Sequence, residues 1–225
     1  MSEFSKQIRK DALTDFALNS AEWIKANRTL FLSIAGSAAG IIIFVIFFFT
    51  RFYTLNARAG EKLAFGQSLL YQGQAEQGDK LISEVINQYQ RTPSSVQARL
   101  IKSEYLSSQK KFEEAEQILL PVAEREKPKE LMPMVISALG SAQEDAGKYQ
   151  QAIATYNSFI ARFPDNFIAP KIIESLARVY ELTNSPDEAR ASYEKIASLY
   201  PATQWAVRAQ ERLIILSKSA GSSDK

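Results

Sequence analysis

Residues 139–164 and 176–201 decide the fold, because the two stretches repeat one pattern at a fixed spacing. The first reads LGSAQEDAGKYQQAIATYNSFIARFP, and the second reads LARVYELTNSPDEARASYEKIASLYP. Aligned without gaps, they place Leu over Leu, Ala over Ala, Tyr over Tyr and Pro over Pro at a step of 37 residues. Self-similarity at a period in this range is typical of chains built from stacked structural repeats.

The same step extends through most of the chain past residue 60. A turn-forming residue, a small residue and a bulky residue recur in that order, and a further apolar column lies upstream of them. The turn column holds Gly73, Lys110, Gly147, Asn184 and Gly221; the small column holds Gly78, Ala115, Ala152 and Ala189; the bulky column holds Ile82, Leu119, Tyr156 and Tyr193; the upstream column holds Phe65, Lys102, Leu139, Leu176 and Leu213. Several columns at one period predict about four repeat units.

Each unit contains the residues that a helical hairpin requires. Gly or Asn suits the left-handed residue that ends a first helix, and the small residue fits where two helices cross closely. The bulky residue lies one turn further along the same face, where it fills the groove between hairpins. Pro164 and Pro201 are placed to stop second helices. Because one hairpin cannot bury its apolar face alone, we expect the hairpins to stack.

These residues resemble the tetratricopeptide-repeat superfamily, whose pattern is Leu-Gly, then Tyr, then Ala, an aromatic residue and Pro. Leu139-Gly140, Ala152, Tyr156 and Pro164 match it in one unit, and the next unit matches again from Leu176-Ala177 to Pro201. The first two units depart from it, since Lys102 replaces the Leu and Gly78 replaces the Ala. The resemblance implies an all-α solenoid over residues 61–218, with about four hairpins and a C-terminal capping helix.

The same resemblance implies binding of protein partners on the concave face, which the first helix of each unit lines. Lys171, Glu174 and Arg178 are expected near its centre, and Phe167 and Trp205 are candidate apolar anchors at its rim. The alternative for any one of these positions is an ordinary solvated side chain. The candidate partner-binding residues are Gln97, Glu104, Ser141, Glu144, Lys171, Glu174, Arg178, Arg208 and Glu211.

A second feature, residues 29–50, is a run of 22 residues without charge between Arg28 and Arg51. As a helix it would be about 33 Å long, enough for the hydrocarbon layer of about 30 Å. A buried core helix rarely runs this long without a polar face, and a cleavable signal peptide has a shorter apolar region nearer the start. The run therefore predicts a transmembrane helix, preceded by an interfacial helix over residues 1–28 and followed by a connector over 51–60.

The flanking charges predict how this helix is oriented. Five basic residues precede it and three follow closely: Lys6, Arg9, Lys10, Lys25 and Arg28 against Arg51, Arg58 and Lys62. The positive-inside rule places the N-terminus in the cytoplasm and the repeats in the periplasm of a bacterial inner membrane. Gly36 and Gly40 are four residues apart, so another membrane helix could approach there. Glycine is also simply common in membrane helices.

Composition excludes several classes of function. The chain has no Cys and no His, which removes thiolate nucleophiles, His-based triads and zinc sites built on these residues. The net charge of +2 argues against nucleic-acid binding, which needs a concentrated basic face. Neighbouring acids such as Glu113-Glu114 and Asp187-Glu188 point to different parts of a helix surface. We therefore expect no enzyme activity, no metal and no cofactor.

A closer resemblance is in layout, to the membrane-anchored tetratricopeptide-like family of the ancillary subunit of the bacterial Sec translocon. Residues 163–166 and 200–206 also resemble periplasmic cell-division and outer-membrane assembly proteins with such repeats. The resemblance implies a role in secretion, folding or envelope assembly, with translocon subunits, periplasmic chaperones or secreted clients as partners. The rivals are a cytosol-facing receptor and a homo-oligomeric scaffold joined through Gly36 and Gly40. Residues 219–225 are predicted to be a disordered tail.

Overall fold

The computed structural model describes residue 20 and residues 22–222, and this part of the chain is helical without a β-strand. Most of the predicted interfacial helix, residues 1–28, lies outside the described residues, as do residues 223–225 of the tail. A 3-10 turn at Lys129–Leu131 precedes the fifth of the helices numbered here. These are α1 (Arg28–Tyr71), α2 (Ala75–Gln88), α3 (Pro93–Ser108), α4 (Phe112–Arg125), α5 (Met132–Asp145), α6 (Tyr149–Arg162), α7 (Ala169–Leu182), α8 (Pro186–Leu199) and α9 (Gln204–Ser222).

The chain divides into two units, Met1–Thr54 and Leu55–Lys225. In the first unit every residue from 28 to 54 is exposed. Within the described chain, α1 is the one helix long and apolar enough to cross a membrane, judged by length and composition. Residues 51–60, predicted as a connector, are part of this helix, and residues 219–222, predicted as the start of the tail, belong to α9.

The second unit consists of four helical hairpins and a final helix, which confirms the predicted solenoid. Residues 55–71 of α1 with α2 form the first hairpin, α3 with α4 the second, α5 with α6 the third, and α7 with α8 the fourth. The helix α9 packs on the fourth hairpin through Ala209, which is buried against Ile173 and Tyr193.

Four of the five positions of the 37-residue turn column lie at turns, whereas Gly221 lies within α9. Gly73, Lys110, Gly147 and Asn184 all adopt the left-handed conformation, with φ between 56° and 79°. The next residue then donates its N–H to a carbonyl five positions back, as in Lys148 to Gln143 at 2.8 Å and Ser185 to Tyr180 at 2.8 Å. This bond satisfies carbonyls that the end of a helix leaves unpaired.

The small column is where the helices of each hairpin cross. Ala115, Ala152 and Ala189 are fully buried. Gly78 departs from this pattern because a Cβ there would lie 2.8 Å from both the Gly66 carbonyl oxygen and the Leu70 side chain. In the first hairpin the helices therefore approach so closely that only glycine fits.

Side-chain contacts explain one position in each of two other columns, Tyr156 in the bulky column and Lys102 in the upstream column. Tyr156 is fully buried, and a Cβ at Gly140 would lie 2.4 Å from its ring. Lys102, which replaces a leucine, places its Nζ 2.8 Å from Asp79 Oδ1 and 2.6 Å from Ser83 Oγ on α2. These partners compensate the charge, so the departure from the repeat pattern does not leave a buried unpaired lysine.

Candidate protein-binding face

The nine candidate residues belong to the first helices of successive hairpins and to α9. The 37-residue step gives several of them equivalent helix positions: Glu104, Ser141 and Arg178 share one column, and Lys171 and Arg208 share another. Ser141, Glu144 and Glu174 are partly buried, whereas the other six are exposed. We call these nine side chains, together with the residues at the same repeat positions on the other first helices, the first-helix face.

Four of the nine side chains bind each other across neighbouring helices. Arg178 on α7 contacts Glu144 on α5 with two hydrogen bonds, of 2.6 Å from Nε and 3.0 Å from Nη2. Arg208 on α9 contacts Glu174 on α7 in the same way, at 2.7 Å and 3.4 Å. Bidentate pairs of this kind fix the geometry of both partners. The first pair joins the third hairpin to the fourth, and the second joins the fourth hairpin to α9.

Glu144 and Glu181, which are 37 residues apart, each have a buried tyrosine as a further partner. The Tyr156 hydroxyl donates to Glu144 at 2.9 Å, and the Tyr193 hydroxyl donates to Glu181 at 2.7 Å. Arg212 on α9 binds Glu181 through both Nε and Nη2. We call these two groups the Glu–Tyr–Arg clusters; they are Glu144–Tyr156–Arg178 and Glu181–Tyr193–Arg212.

The clusters perturb the proton affinities of their members. Burial raises the pKa of the Tyr156 phenol above its ordinary value, and the Glu144 charge raises it further. Burial, followed by the hydrogen bond to Glu181, raises the pKa of Tyr193 in the same direction. The hydrogen bond to Glu144 raises the pKa of Arg178. The arrangement stabilises fixed charges and provides no activated nucleophile.

The sequence predictions did not include Glu181, Tyr193 or Arg212 among the candidate polar residues of the face. A signal for two of them was present, because Glu144 with Tyr156 and Glu181 with Tyr193 are the same pair shifted by 37 residues. Arg212 has no such signal, since the residue 37 positions after Arg178 is Ile215. Its role follows from the packing of α9 on α7.

The first two hairpins use different polar contacts. Their acids lie on second helices, one position after the small column: Asp79 binds Lys102, and Glu116 accepts from Gln143 at 3.1 Å and from Lys148 at 2.5 Å. Burial of Glu116 would raise its carboxyl pKa, but the hydrogen bonds from Lys148 and Gln143, with the Lys148 charge, together hold that pKa below its ordinary value.

Several candidates remain without a charged partner within the described chain. Gln97, Glu104, Lys171 and Glu211 form no ion pair with any described residue. Glu104 lines an open groove between α1 and α3, with a volume of about 290 Å³. The groove is lined by Gln67, Leu70, Tyr71, Ile101, Glu104, Tyr105 and Ser108.

The two candidate rim aromatics lie in different environments. Phe167, in the α6–α7 connection, is 85% exposed. Trp205 packs against the cluster of Ile173 and Ala209, and its ring lies 4.2 Å below the Arg208 guanidinium. Trp205 therefore contributes to the packing of α9, while Phe167 is available to a partner. In the other unit, Gly36 and Gly40 have open space around both positions where a Cβ would stand.

Solved structures with similar folds are repeat proteins. One is the crystal structure of "Podosopora anserina putative kinesin light chain nearly identical TPR-like repeats", at 16% identity and a TM-score of 0.61; it covers 74% of this chain and 89% of that one. Another is the crystal structure of MamA protein, at 19% identity and a TM-score of 0.58, covering 74% of this chain and 84% of that one. At these identities the likeness shows the fold alone.

Among curated protein sequences there is no match. A sequence model described as "Tetratricopeptide repeat-like domain" matches residues 22–213, which is most of the chain. Proteins with such repeats are typically interaction scaffolds without enzyme activity. The turns, crossings and stacked hairpins described above are those of this family, and the chain belongs to the tetratricopeptide repeat-like domain family.

Proposed function

We propose that this chain is a membrane-anchored protein-interaction module of the bacterial inner membrane, with its repeat domain in the periplasm. It would assist protein secretion, folding or envelope assembly near the Sec translocon, and its partners would be translocon subunits, periplasmic chaperones or secreted clients. The observation that carries the proposal is a long, exposed apolar stretch of helix, residues 28–54 of α1, in the same chain as a tetratricopeptide-like repeat domain.

Support for the anchor comes from the exposed side chains of α1. Ile43, Phe44 and Phe47 are each at least 65% exposed, and their neighbours over residues 41–49 are similarly open. Leaving apolar surface in water costs about 25 cal/mol per Å², so a run of this size favours a lipid environment. Its length is that of a membrane-spanning segment.

Support for binding comes from the first-helix face. The face presents polar side chains from adjacent first helices, and the two Glu–Tyr–Arg clusters hold those helices in a fixed arrangement. A surface that is rigid before binding loses less entropy when a partner docks. Lys171, at the centre predicted from the sequence, remains unpaired among the described residues, so it is available to an acidic group of a partner.

Reporter fusions after Lys225 test the topology. We expect a reporter that is active only in the periplasm to give signal, and one that is active only in the cytoplasm to be silent. The opposite pattern would reject the translocon and envelope roles together and would favour the cytosol-facing receptor.

Crosslinking from intact membranes tests partner binding at the predicted centre. The triple variant of Lys171, Glu174 and Arg178 to Ala should weaken partner capture, but it also removes two inter-helix ion pairs. Lys171→Ala is therefore the cleaner variant, because it removes charge without breaking a pair. Equal capture by Lys171→Ala, by the triple variant and by the unmodified chain would argue against binding at this centre.

A second candidate function, a homo-oligomeric scaffold, is favoured by the open space around Gly36 and Gly40. Small residues four apart allow close helix contact in a membrane. If Gly36→Ile with Gly40→Ile abolishes partner capture or self-association while the Lys171 variant retains both, the main contact runs through the membrane helix.

A further inference from the structure

The groove between α1 and α3 differs in chemistry from the rest of the first-helix face. Its walls carry Leu70, Tyr71, Ile101 and Tyr105, and Glu104 is the one lining residue that is charged at neutral pH. Tyr71 is 90% exposed, so its ring is accessible to a partner. The groove volume of about 290 Å³ is at the small end for binding sites. It therefore suits one or two side chains of a longer ligand.

The internal repeat explains why this groove is open. Two repeat steps along the chain, the position of Leu70 is taken by Glu144 and the position of Glu104 by Arg178. In the third and fourth hairpins those two residues form an ion pair that joins α5 to α7. In the first and second hairpins the equivalent pair is Leu70 with Glu104, which cannot form a salt bridge.

The comparison with the fourth hairpin also explains why Glu104 has no cationic partner. Ile101 stands where the fourth hairpin has Ser175, and Ser175 Oγ is a hydrogen-bond partner of Arg178 at 3.3 Å. Glu104 is exposed and makes neither an ion pair nor a hydrogen bond with a described residue, and no basic side chain lines the groove. The site thus combines aromatic walls with a carboxylate that lacks a cation.

We propose that this groove binds an extended segment of another protein in which an aliphatic or aromatic side chain lies next to a lysine or arginine. The apolar side chain enters between Tyr71 and Tyr105, and the cation pairs with Glu104. The proposal rests on the proposed protein-binding function and specifies the site and the class of segment. It places peptide binding at the first two hairpins, whereas the sequence pattern predicts its centre at the third and fourth.

Fluorescence anisotropy with the full-length chain in detergent micelles tests this, using three 12-residue peptides with a neutral dye. The lysine peptide has the sequence Ser-Gly-Ser-Leu-Lys-Phe-Lys-Leu-Lys-Ser-Gly-Ser. The glutamate peptide replaces each lysine by glutamate, and the serine peptide keeps the lysines but replaces Leu and Phe by serine. We expect only the lysine peptide to bind the unmodified chain, because it alone satisfies both the walls and Glu104.

Two variants assign the binding to the groove. Glu104→Lys should lower the affinity for the lysine peptide about tenfold and make the glutamate peptide the better ligand. Tyr71→Ala should lower the affinity for the lysine peptide by about the same factor. Both residues are exposed, so circular dichroism should show unchanged folding. The matched controls on second helices, Glu194→Lys and Leu199→Ala, are also exposed and should change affinity less than about twofold.

Three results would overturn the proposal that the groove binds a peptide. These are no binding of the lysine peptide, an unchanged preference of Glu104→Lys for the lysine peptide, or an equal loss of affinity in Glu104→Lys and Glu194→Lys. Membrane crosslinking separates this outcome from failure of the proposed function. If position 171 captures partners in membranes while the lysine peptide does not bind, the proposal of peptide binding in the groove is wrong and the proposed function stands. If the peptides bind as expected but no first-helix position captures a partner in membranes, the groove stands and the proposed function fails.

Discussion

The third and fourth hairpins and the first and second hairpins share one period but are joined by different side chains. In the later pair, an acid on each first helix binds an arginine on the next first helix and a tyrosine beneath it. In the earlier pair, the acids Asp79 and Glu116 lie on second helices and bind residues of the following hairpin. The backbone repeat therefore does not dictate where the charges lie.

The difference has a consequence for the surface. Where the acid is on the first helix, the space between first helices is closed by the ion pair of Glu144 with Arg178 or of Glu181 with Arg212. Where it is on the second helix, the first helices of the first two hairpins leave a groove with aromatic walls. Ion pairs thus join the first helices in one half of the repeat domain, and the other half carries the open groove proposed above to bind a peptide segment.

The largest effect is expected from overpacking the later half. Ala152 is fully buried at the crossing of α5 and α6, so Ala152→Trp should lower the free energy of unfolding by about 3 kcal/mol. Ala154→Trp, two residues along on the exposed side of the same helix, is the control and should have little effect. Denaturant unfolding followed by circular dichroism measures both, and equal stability of the two variants would contradict this packing.

Alkaline pH should also destabilise the later half. The pKa values of Tyr156 and Tyr193 are raised in the folded state, whereas unfolded tyrosine ionises near pH 10. Above that pH the unfolded chain loses these protons and the folded chain keeps them, so stability falls as pH rises. Between pH 9 and 11 the double variant Tyr156→Phe with Tyr193→Phe should lose about 2 kcal/mol less than the unmodified chain. Parallel pH curves would show that the buried phenols are not responsible.

Removing one acid from each half compares their roles directly. Glu144→Ala leaves Tyr156 and Arg178 without their acceptor, and the expected cost is about 1–2 kcal/mol. Glu104→Ala removes a side chain with no described partner, so its effect should stay within about 0.5 kcal/mol. Thermal unfolding of both variants measures this difference, and a cost for Glu104→Ala as large as that for Glu144→Ala would contradict it.

Acid should weaken the earlier half by a smaller amount. Because the pKa of Glu116 is lowered in the folded state, its carboxylate stabilises the fold above the unfolded pKa of about 4.3, and that contribution disappears as pH falls through the folded pKa. Glu116→Gln should therefore be less stable than the unmodified chain at neutral pH, and its stability should fall less as the pH is lowered. Glu124→Gln, on the exposed side of α4, should follow the unmodified chain. A Glu116→Gln curve parallel to the unmodified one would contradict the predicted linkage.

The sequence predicted the parts of this fold that depend on local backbone and sterics. The left-handed turns at Gly73, Gly147 and Asn184 and the buried crossing alanines follow from residue type at a fixed step, whereas the turn at Lys110 follows from its position in the column. The close approach of Gly66 to Gly78 was not predicted, and it explains a position that matched the family pattern poorly.

The polar contacts could not be predicted in the same way. Arg178 lies 34 residues after Glu144, and Arg212 lies 31 residues after Glu181, so neither partner follows the 37-residue step. Which arginine reaches which acid depends on how far each side chain extends between adjacent first helices. The groove was missed for a related reason, since it exists because Leu70 occupies a position that is acidic in later hairpins.

Site-specific photocrosslinking in intact cells tests most directly the claim that partners bind the open half of the first-helix face. A photoreactive amino acid would replace Tyr71 in the groove, Lys171 at the predicted centre and Leu199 on the second-helix side, each exposed in the structure. We predict adducts with other proteins that are strongest at position 71, weaker at 171 and absent at 199. Adducts as strong at position 199 as at position 71 would contradict it.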